Sequence, residues 1–296
     1  MPPQTSPTSM GPVVLRETDT YRFDSPHVGA ELEVRVARPL PGAMGPLPDR
    51  YAVLYVTDGD LFFGMATEIT RLRYQLFGEL PPLLVVGIGY GTNDARVQGE
   101  TRNRDLTPTA DPGFIEMGRR INPSWEPLLP EGRRMGRADE LLTFVERELQ
   151  PYLAGRYPVA DDGSVLFGSS LGGLFANYAL LTRPGLFDGY VIVSPSLWWD
   201  REVMFRIEAE SAAATKDLVK RVYLAVGEYE EGSGIPGLDE WKLVTNTQRM
   251  AEVLEGRNYP SLNLTYETLP GETHTAAASV GMTRGLSTVL GRQRRP

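Results

Sequence analysis

The sequence predicts an α/β fold: a mostly parallel central sheet with helices on both faces. Three observations carry this expectation. Short β-branched runs alternate with stretches of helical length along most of the chain. Tyr51–Val56 (YAVLYV) and Leu83–Ile88 (LLVVGI) are almost continuously apolar, as central strands covered on both sides are. A G-x-S-x-G motif, Gly168–Gly172, joins a strand pattern to a helix pattern.

The elements follow in order. Residues 1–12, MPPQTSPTSMGP, are rich in Pro, Ser and Thr and read as a disordered tail, leaving a single domain over 13–296. Glu31–Arg38 alternates polar and apolar, as a half-buried strand does. Pro39–Asp49 is a Pro/Gly loop. Leu61–Phe77 has helical length and spacing between the two apolar strands. Gly91–Gly136 is the least regular stretch, and a long irregular insertion in a compact domain suggests a lid or rim. In Ala138–Tyr157, Leu141, Val145, Leu149 and Tyr152 form an apolar stripe, with Pro151 expected to kink or tighten the helix near its end. Strands follow at Ser164–Phe167, Gly189–Val193, Arg221–Val226 and Asn263–Thr268. Helices are expected at Leu171–Leu181, Thr247–Glu255 and Ala276–Leu290.

Composition narrows the chemistry. The chain has 296 residues, of which 41% are hydrophobic and 23% charged, as in ordinary globular proteins. Its 38 acidic and 30 basic residues give a net charge of −8, without the electrostatic footprint of a nucleic-acid binder or any attraction to anionic lipid. Cysteine is absent, which removes disulfides, thiolate catalysis, zinc ribbons and iron–sulfur clusters. With only two histidines, His27 and His274, a histidine-rich metal site is excluded. No metal and no cofactor are expected. There is neither a signal-peptide pattern nor an apolar run of membrane-spanning length, so a cytoplasmic location without membrane association is the expectation.

The G-x-S-x-G motif carries the chemistry. A nucleophile on a tight strand-to-helix turn needs small residues two positions away on either side. Ser169 would have Phe167 there, whereas Ser170 has Gly168 and Gly172. The following helix N-terminus and the Leu171 N–H are placed to stabilise an oxyanion. His274, in a loop after the last strand, is the candidate base; His27, upstream of the first expected strand, reads as a surface residue. The acid should lie between nucleophile and base. Glu228, Glu230 and Glu231 cluster at a strand end, and Glu230 is the choice among them. Asp58-Gly59-Asp60-Leu61, at the end of an early central strand, would supply a second oxyanion amide from Asp60 or Leu61.

The stretches YAVLYVTDGDLF, TRNRDLTPT, FVERELQPYLAGRYPV, FGSSLGGLFANYALLTRPGLFDGYVIVSPSLWW, AVGEYEE and PGETH together resemble an esterase family of the α/β-hydrolase superfamily. That family includes siderophore esterase-like, feruloyl esterase and esterase D-like proteins, and SPSLWW looks closest to the siderophore esterase-like branch. The resemblance runs from about Tyr51 to His274. It implies an α/β-hydrolase fold, a serine esterase acting through an acyl-enzyme, Ser170 as nucleophile, His274 as base, Glu230 as acid and the Asp58–Leu61 loop at the oxyanion. Relatives often carry His where this chain has Ser169.

Phe62, Phe63, Trp125, Trp198 and Trp199 are candidate walls of a substrate pocket. Arg102, Arg104 and Asp105 stand near the expected rim. Their arginines would either meet an anionic or catecholate-like substrate or brace the loop as an ion-pair network. The expected partner is a small-molecule ester. Two other functions use the same features: an acyltransferase or cyclase/thioesterase on the same triad, and a non-catalytic binding protein on a hydrolase scaffold.

Overall fold

A computed structural model describes residues 11–43, 45–121, 128–129, 131–234 and 239–291. Its centre is an eight-stranded sheet in the order β1-β2-β4-β3-β5-β6-β7-β8. The strands are β1 (Thr18–Ser25), β2 (Ala30–Ala37), β3 (Ala52–Val56), β4 (Leu83–Gly89), β5 (Val165–Ser169), β6 (Gly189–Val193), β7 (Lys220–Gly227) and β8 (Leu262–Leu269). From β4 through β8 every pairing is parallel. β1 pairs antiparallel with β2, and β2 antiparallel with β4. The hairpin partner β1 was not expected, although Tyr21 and Phe23 in TDTYRFDS supply the period of two.

Side-chain alternation along the strands divides the core in two. On one face Ile192, Tyr190, Leu166 and Val86 meet α4 (Ala138–Phe144), α6 (Leu171–Thr182), α7 (Trp199–Ala214) and α8 (Leu243–Gly256). On the other Val191, Val193, Val56 and Phe167 meet α1 (Gly59–Phe77) and α9 (His274–Leu290). The strands' carboxyl ends therefore share one edge, where ligands bind in such sheets.

Three segments differ from expectation. The stretch 91–136 is not irregular throughout. It contains α2 (Ala95–Asp105) and α3 (Pro112–Ile121). Asp94 caps α2, its Oδ1 accepting from the Arg96 amide at 2.8 Å and the Val97 amide at 3.4 Å. Helix α2 buries Glu100, Arg104 and Asp105 rather than an apolar stripe, so hydrophobic periodicity could not reveal it. Helix α7 was likewise not expected. Near Pro151 the helix widens before it: Val145–Leu149 forms a π turn, the Gln150 amide donates to Val145 O, and Pro151 enters the first turn of α5 (Gln150–Arg156).

A polar cluster fastens the β1–β2 edge to α5. Arg156 Nε donates to Tyr21 Oη at 2.8 Å, the Tyr21 and Tyr157 hydroxyls are 2.7 Å apart, and Tyr157 donates to Asp19 at 2.9 Å. Arg38 also binds Asp19. The Tyr157 hydroxyl above all, with Arg38, holds the Asp19 carboxyl below its ordinary value of 3.8. A carboxyl lowered in the folded state stabilises above its unfolded pKa and stops doing so as pH falls through the folded one. At pH 7, Asp19→Asn should therefore lower the melting temperature by about 1–3 °C. The gap should shrink below pH 3.8. Melting curves at neutral and acid pH check this; a gap that persists in acid would show that the charge of Asp19 is not what matters.

Candidate active site

Ser170 stands between the end of β5 and the start of α6, with φ 60° and ψ −119°. This positive φ is a strained conformation for a residue with a side chain. It exists because the neighbouring backbone closes tightly. A Cβ on Gly168 would lie 2.0 Å from the Gly172 carbonyl oxygen, and one on Gly172 would lie 2.3 Å from Thr57 Oγ1. Neither position admits any residue but glycine. The elbow is also tied to the end of β6: the Ser170 amide donates to Val193 O at 3.1 Å, and the Ser196 amide donates to Ser170 O at 3.1 Å. Leu171 is the first residue of α6, so its N–H is one of the helix's unpaired first-turn donors.

The structure brings Glu230 and His274 together. Glu230 Oε2 lies 2.6 Å from His274 Nδ1, and the Glu230 side chain is completely buried. Its other oxygen, Oε1, accepts from the Gly227 amide at 2.6 Å and from Ser194 Oγ at 2.5 Å. A carboxylate at Nδ1 accepts a hydrogen bond from the N–H there, which fixes the proton on that nitrogen and leaves Nε2 free to act as a base. The imidazole is a quarter exposed, at 25%, and so reaches the surface of the site. The two loops are joined by the Tyr229 amide donating to Glu272 O at 3.0 Å. Glu228 and Glu231 face elsewhere. Glu228 accepts from the Gly271 amide at 2.7 Å, while Glu231 accepts from the Thr245 amide and hydroxyl, both at 2.8 Å.

Sequence reasoning missed Ser194. It is fully buried, has φ 47° and anchors its amide on Ala225 O at 2.7 Å. Its signal was a serine directly after the apolar strand GYVIV, a position where the next side chain turns toward the neighbouring strand end.

The Asp58–Leu61 loop is built from paired carboxylates. Asp58 is left-handed at φ 52°, and its carboxylate accepts from two of the Arg102 nitrogens, Nε at 2.9 Å and Nη2 at 3.0 Å. Burial works against the charge of Arg102, but Asp58 outweighs it and holds the guanidinium pKa above its usual value. Asp60 accepts from the Tyr90 amide at 2.6 Å, the Gly91 amide at 3.3 Å and Arg35 Nη2 at 2.9 Å. Leu61 cannot serve as the expected second oxyanion donor, because its N–H already donates to Asp58 O at 2.9 Å. Phe62 shares that acceptor at 3.0 Å, which leaves the Asp60 amide as the loop's candidate.

The expected pocket walls need correction. Trp199 is fully buried and donates its Nε1–H to Thr109 O at 2.9 Å, so it is a core residue. Phe62 meets Phe167 edge-on at 5.7 Å on the α1/α9 side of the sheet, and Phe63 is buried beside it. Phe63 belongs to the core, while Phe62 is partly buried and packs against it. Trp198 is half-buried and stacks on Trp241 at 4.8 Å with the rings 10° apart, next to Phe114. Trp125 lies outside the described residues. Arg102 is spoken for by Asp58, and Arg104 binds Asp105 through two 2.6 Å hydrogen bonds, so both arginines brace the insertion. His27 is exposed, in the turn between β1 and β2 at the outer end of the sheet.

A parallel sheet with a serine at a strand-to-helix elbow and a histidine–carboxylate pair on the same edge defines an enzyme of the α/β-hydrolase type. The chain belongs to the family described as "Putative esterase", whose model matches residues 119–276, and it is a carboxylic ester hydrolase. It is 30% identical over 254 residues to ferri-bacillibactin esterase BesA of Bacillus subtilis strain 168, covering 83% of this chain and 81% of that protein. It is 29% identical over 263 residues to a siderophore triacetylfusarinine C esterase of Aspergillus fumigatus, covering 82% and 81%. Among solved structures, BES protein from Bacillus cereus superposes with a TM-score of 0.77 at 25% identity, covering 97% of this chain and all of that one. Among the described residues no helix is long and apolar enough to cross a membrane.

The three glutamates should separate in kinetics. Glu230→Gln should lower kcat by about 100-fold or more, because the imidazole loses the carboxylate that orients it. Glu228→Gln and Glu231→Gln should stay within about threefold. Ser194→Ala should fall between, at about 10-fold, since it leaves Glu230 with two donors instead of three. Steady-state kinetics on a p-nitrophenyl ester gives the ranking; a larger loss at Glu228 or Glu231 would reassign the acid.

Proposed function

We propose that this chain is a serine esterase working through a Ser170–His274–Glu230 triad and an acyl-enzyme. The carrying observation is the fully buried Glu230 carboxylate 2.6 Å from His274 Nδ1, on the same sheet edge as the strained Ser170 elbow. Ser170 Oγ adds to the ester carbonyl while His274 Nε2 takes its proton. The carbonyl oxygen, now negative, is held by the amides of Leu171 and Asp60. The ester C–O bond breaks as His274 returns the proton to the departing alcohol. Water, deprotonated by His274, then releases the acid and regenerates Ser170. Glu230 orients the imidazole and stabilises its charged form throughout.

The substrate class follows from the relatives. Two of them, a bacterial protein named as a ferri-bacillibactin esterase and a fungal one named as a siderophore triacetylfusarinine C esterase, each align over more than four fifths of this chain. We therefore assign ester-linked siderophores as the substrates, the iron being cargo of the substrate.

Ser170→Ala should abolish hydrolysis of p-nitrophenyl esters and labelling by a fluorophosphonate, with the melting curve unchanged. A panel of ferric and iron-free siderophore esters, followed by chromatography of the released acids, tests the substrate class. Hydrolysis of simple esters without turnover of any siderophore ester would reject that class while leaving the esterase intact. Retained labelling in Ser170→Ala would reject the nucleophile.

A further inference from the structure

The second oxyanion donor sits on a loop that does not hold its own shape. Its first residue, Asp58, is left-handed, a strained conformation for a residue with a Cβ. Asp58 also carries the carbonyl that accepts the Leu61 and Phe62 amides at 2.9 and 3.0 Å and so starts α1. Its side chain is completely buried and is met by the Arg102 guanidinium through two hydrogen bonds of 2.9 and 3.0 Å. Asp58 also borders the nucleophile: a Cβ on Gly172 would come within 3.2 Å of Asp58 Oδ2. One ion pair thus touches the loop with the Asp60 amide, the helix that starts at Leu171, and α2 of the insertion.

Arg102 is itself held from the far side. Its carbonyl accepts the Leu106 amide at 2.9 Å, and two residues on, the Arg104 carbonyl accepts the Arg137 amide at 3.0 Å. Asp105, buried with Arg104, also lies near Tyr90, the residue whose amide binds Asp60 at 2.6 Å. A planar fork backed in this way fixes a carboxylate in two directions at once.

We propose that Arg102 is a positioning residue for the oxyanion site: by gripping Asp58 it sets where the Asp60 amide stands relative to Ser170 and Leu171. Arg102 does not touch the substrate in this assignment. It acts on the transition state through Asp58 and the loop. The inference rests on the serine esterase reading above.

The test compares Arg102→Gln, Arg102→Lys and Asp58→Asn with the unmodified enzyme, each normalised by fluorophosphonate titration of Ser170. The assays are kcat and KM on p-nitrophenyl butyrate and the inhibition constant of a trifluoromethyl ketone, which binds as an oxyanion. Displacing one oxyanion donor should lower kcat about 10- to 100-fold in Arg102→Gln and Asp58→Asn, with KM within about threefold. The ketone should weaken in parallel with kcat. Arg102→Lys should recover part of the loss, because an ammonium replaces the charge without the fork. A raised KM with unchanged kcat would overturn the proposal and make Arg102 a substrate contact. A lowered melting temperature with kcat and ketone affinity intact would overturn it in favour of a purely structural brace. If Arg102→Gln does not fold, Arg102→Lys and the isosteric Asp58→Asn decide by the same criteria. The esterase reading fails separately, through persistent activity in Ser170→Ala.

Discussion

A carboxylate with no exposed surface must find its solvation within the protein, and the active edge of this fold is arranged around meeting that demand for Glu230. Removing such a group from water costs several kcal/mol unless donors replace the water. Three do so: the Gly227 amide, the Ser194 hydroxyl and His274 Nδ1. They come from the ends of β7 and β6 and the first turn of α9. Meeting the needs of one side chain therefore locks three elements, and the geometry that orients the His274 ring is also the geometry that makes the carboxylate tolerable. The crowding around Ser170 completes the edge, because Gly168 and Gly172 let α6 press against β5 and the end of β3.

Acidic residues here act by environment rather than by identity. Asp58, Asp60, Glu228, Glu230 and Glu231 all lie at the carboxyl ends of strands. Two of them serve arginines and amides around the β3 loop, two brace neighbouring backbone, and Glu230 faces an imidazole. Nothing in their local sequence separates these jobs. The separation comes from which strand end each side chain can reach.

That distinction marks how far the sequence could be read. The parallel centre was legible because Tyr51–Val56 and Leu83–Ile88 are buried on both faces and carry no polar interruption. Ser170 was legible because steric exclusion writes itself into the two glycines. The helix α2 was not, since a helix that buries Glu100, Arg104 and Asp105 in ion pairs and amide contacts shows no apolar stripe. Trp199 and Phe63 were read as pocket walls because aromatic residues beside a nucleophile suit either role; only their burial, with Trp199 bonded to Thr109 O, distinguishes core from cleft. Ser194 left too small a trace, a single hydroxyl after an apolar strand, and its value depends on a glutamate 36 residues away.

The order of these groups along the chain bears on biosynthesis. The elbow at Ser170 is complete once β5, α6 and β6 have formed, but His274 opens α9, the last helix of the sheet's second face. Domains begin to organise from the amino terminus as they leave the ribosome. A partly synthesised chain can thus hold a well-formed nucleophile turn while lacking any group to take its proton. On the proposed triad, catalytic competence therefore requires the docking of α9, the last element of the chain.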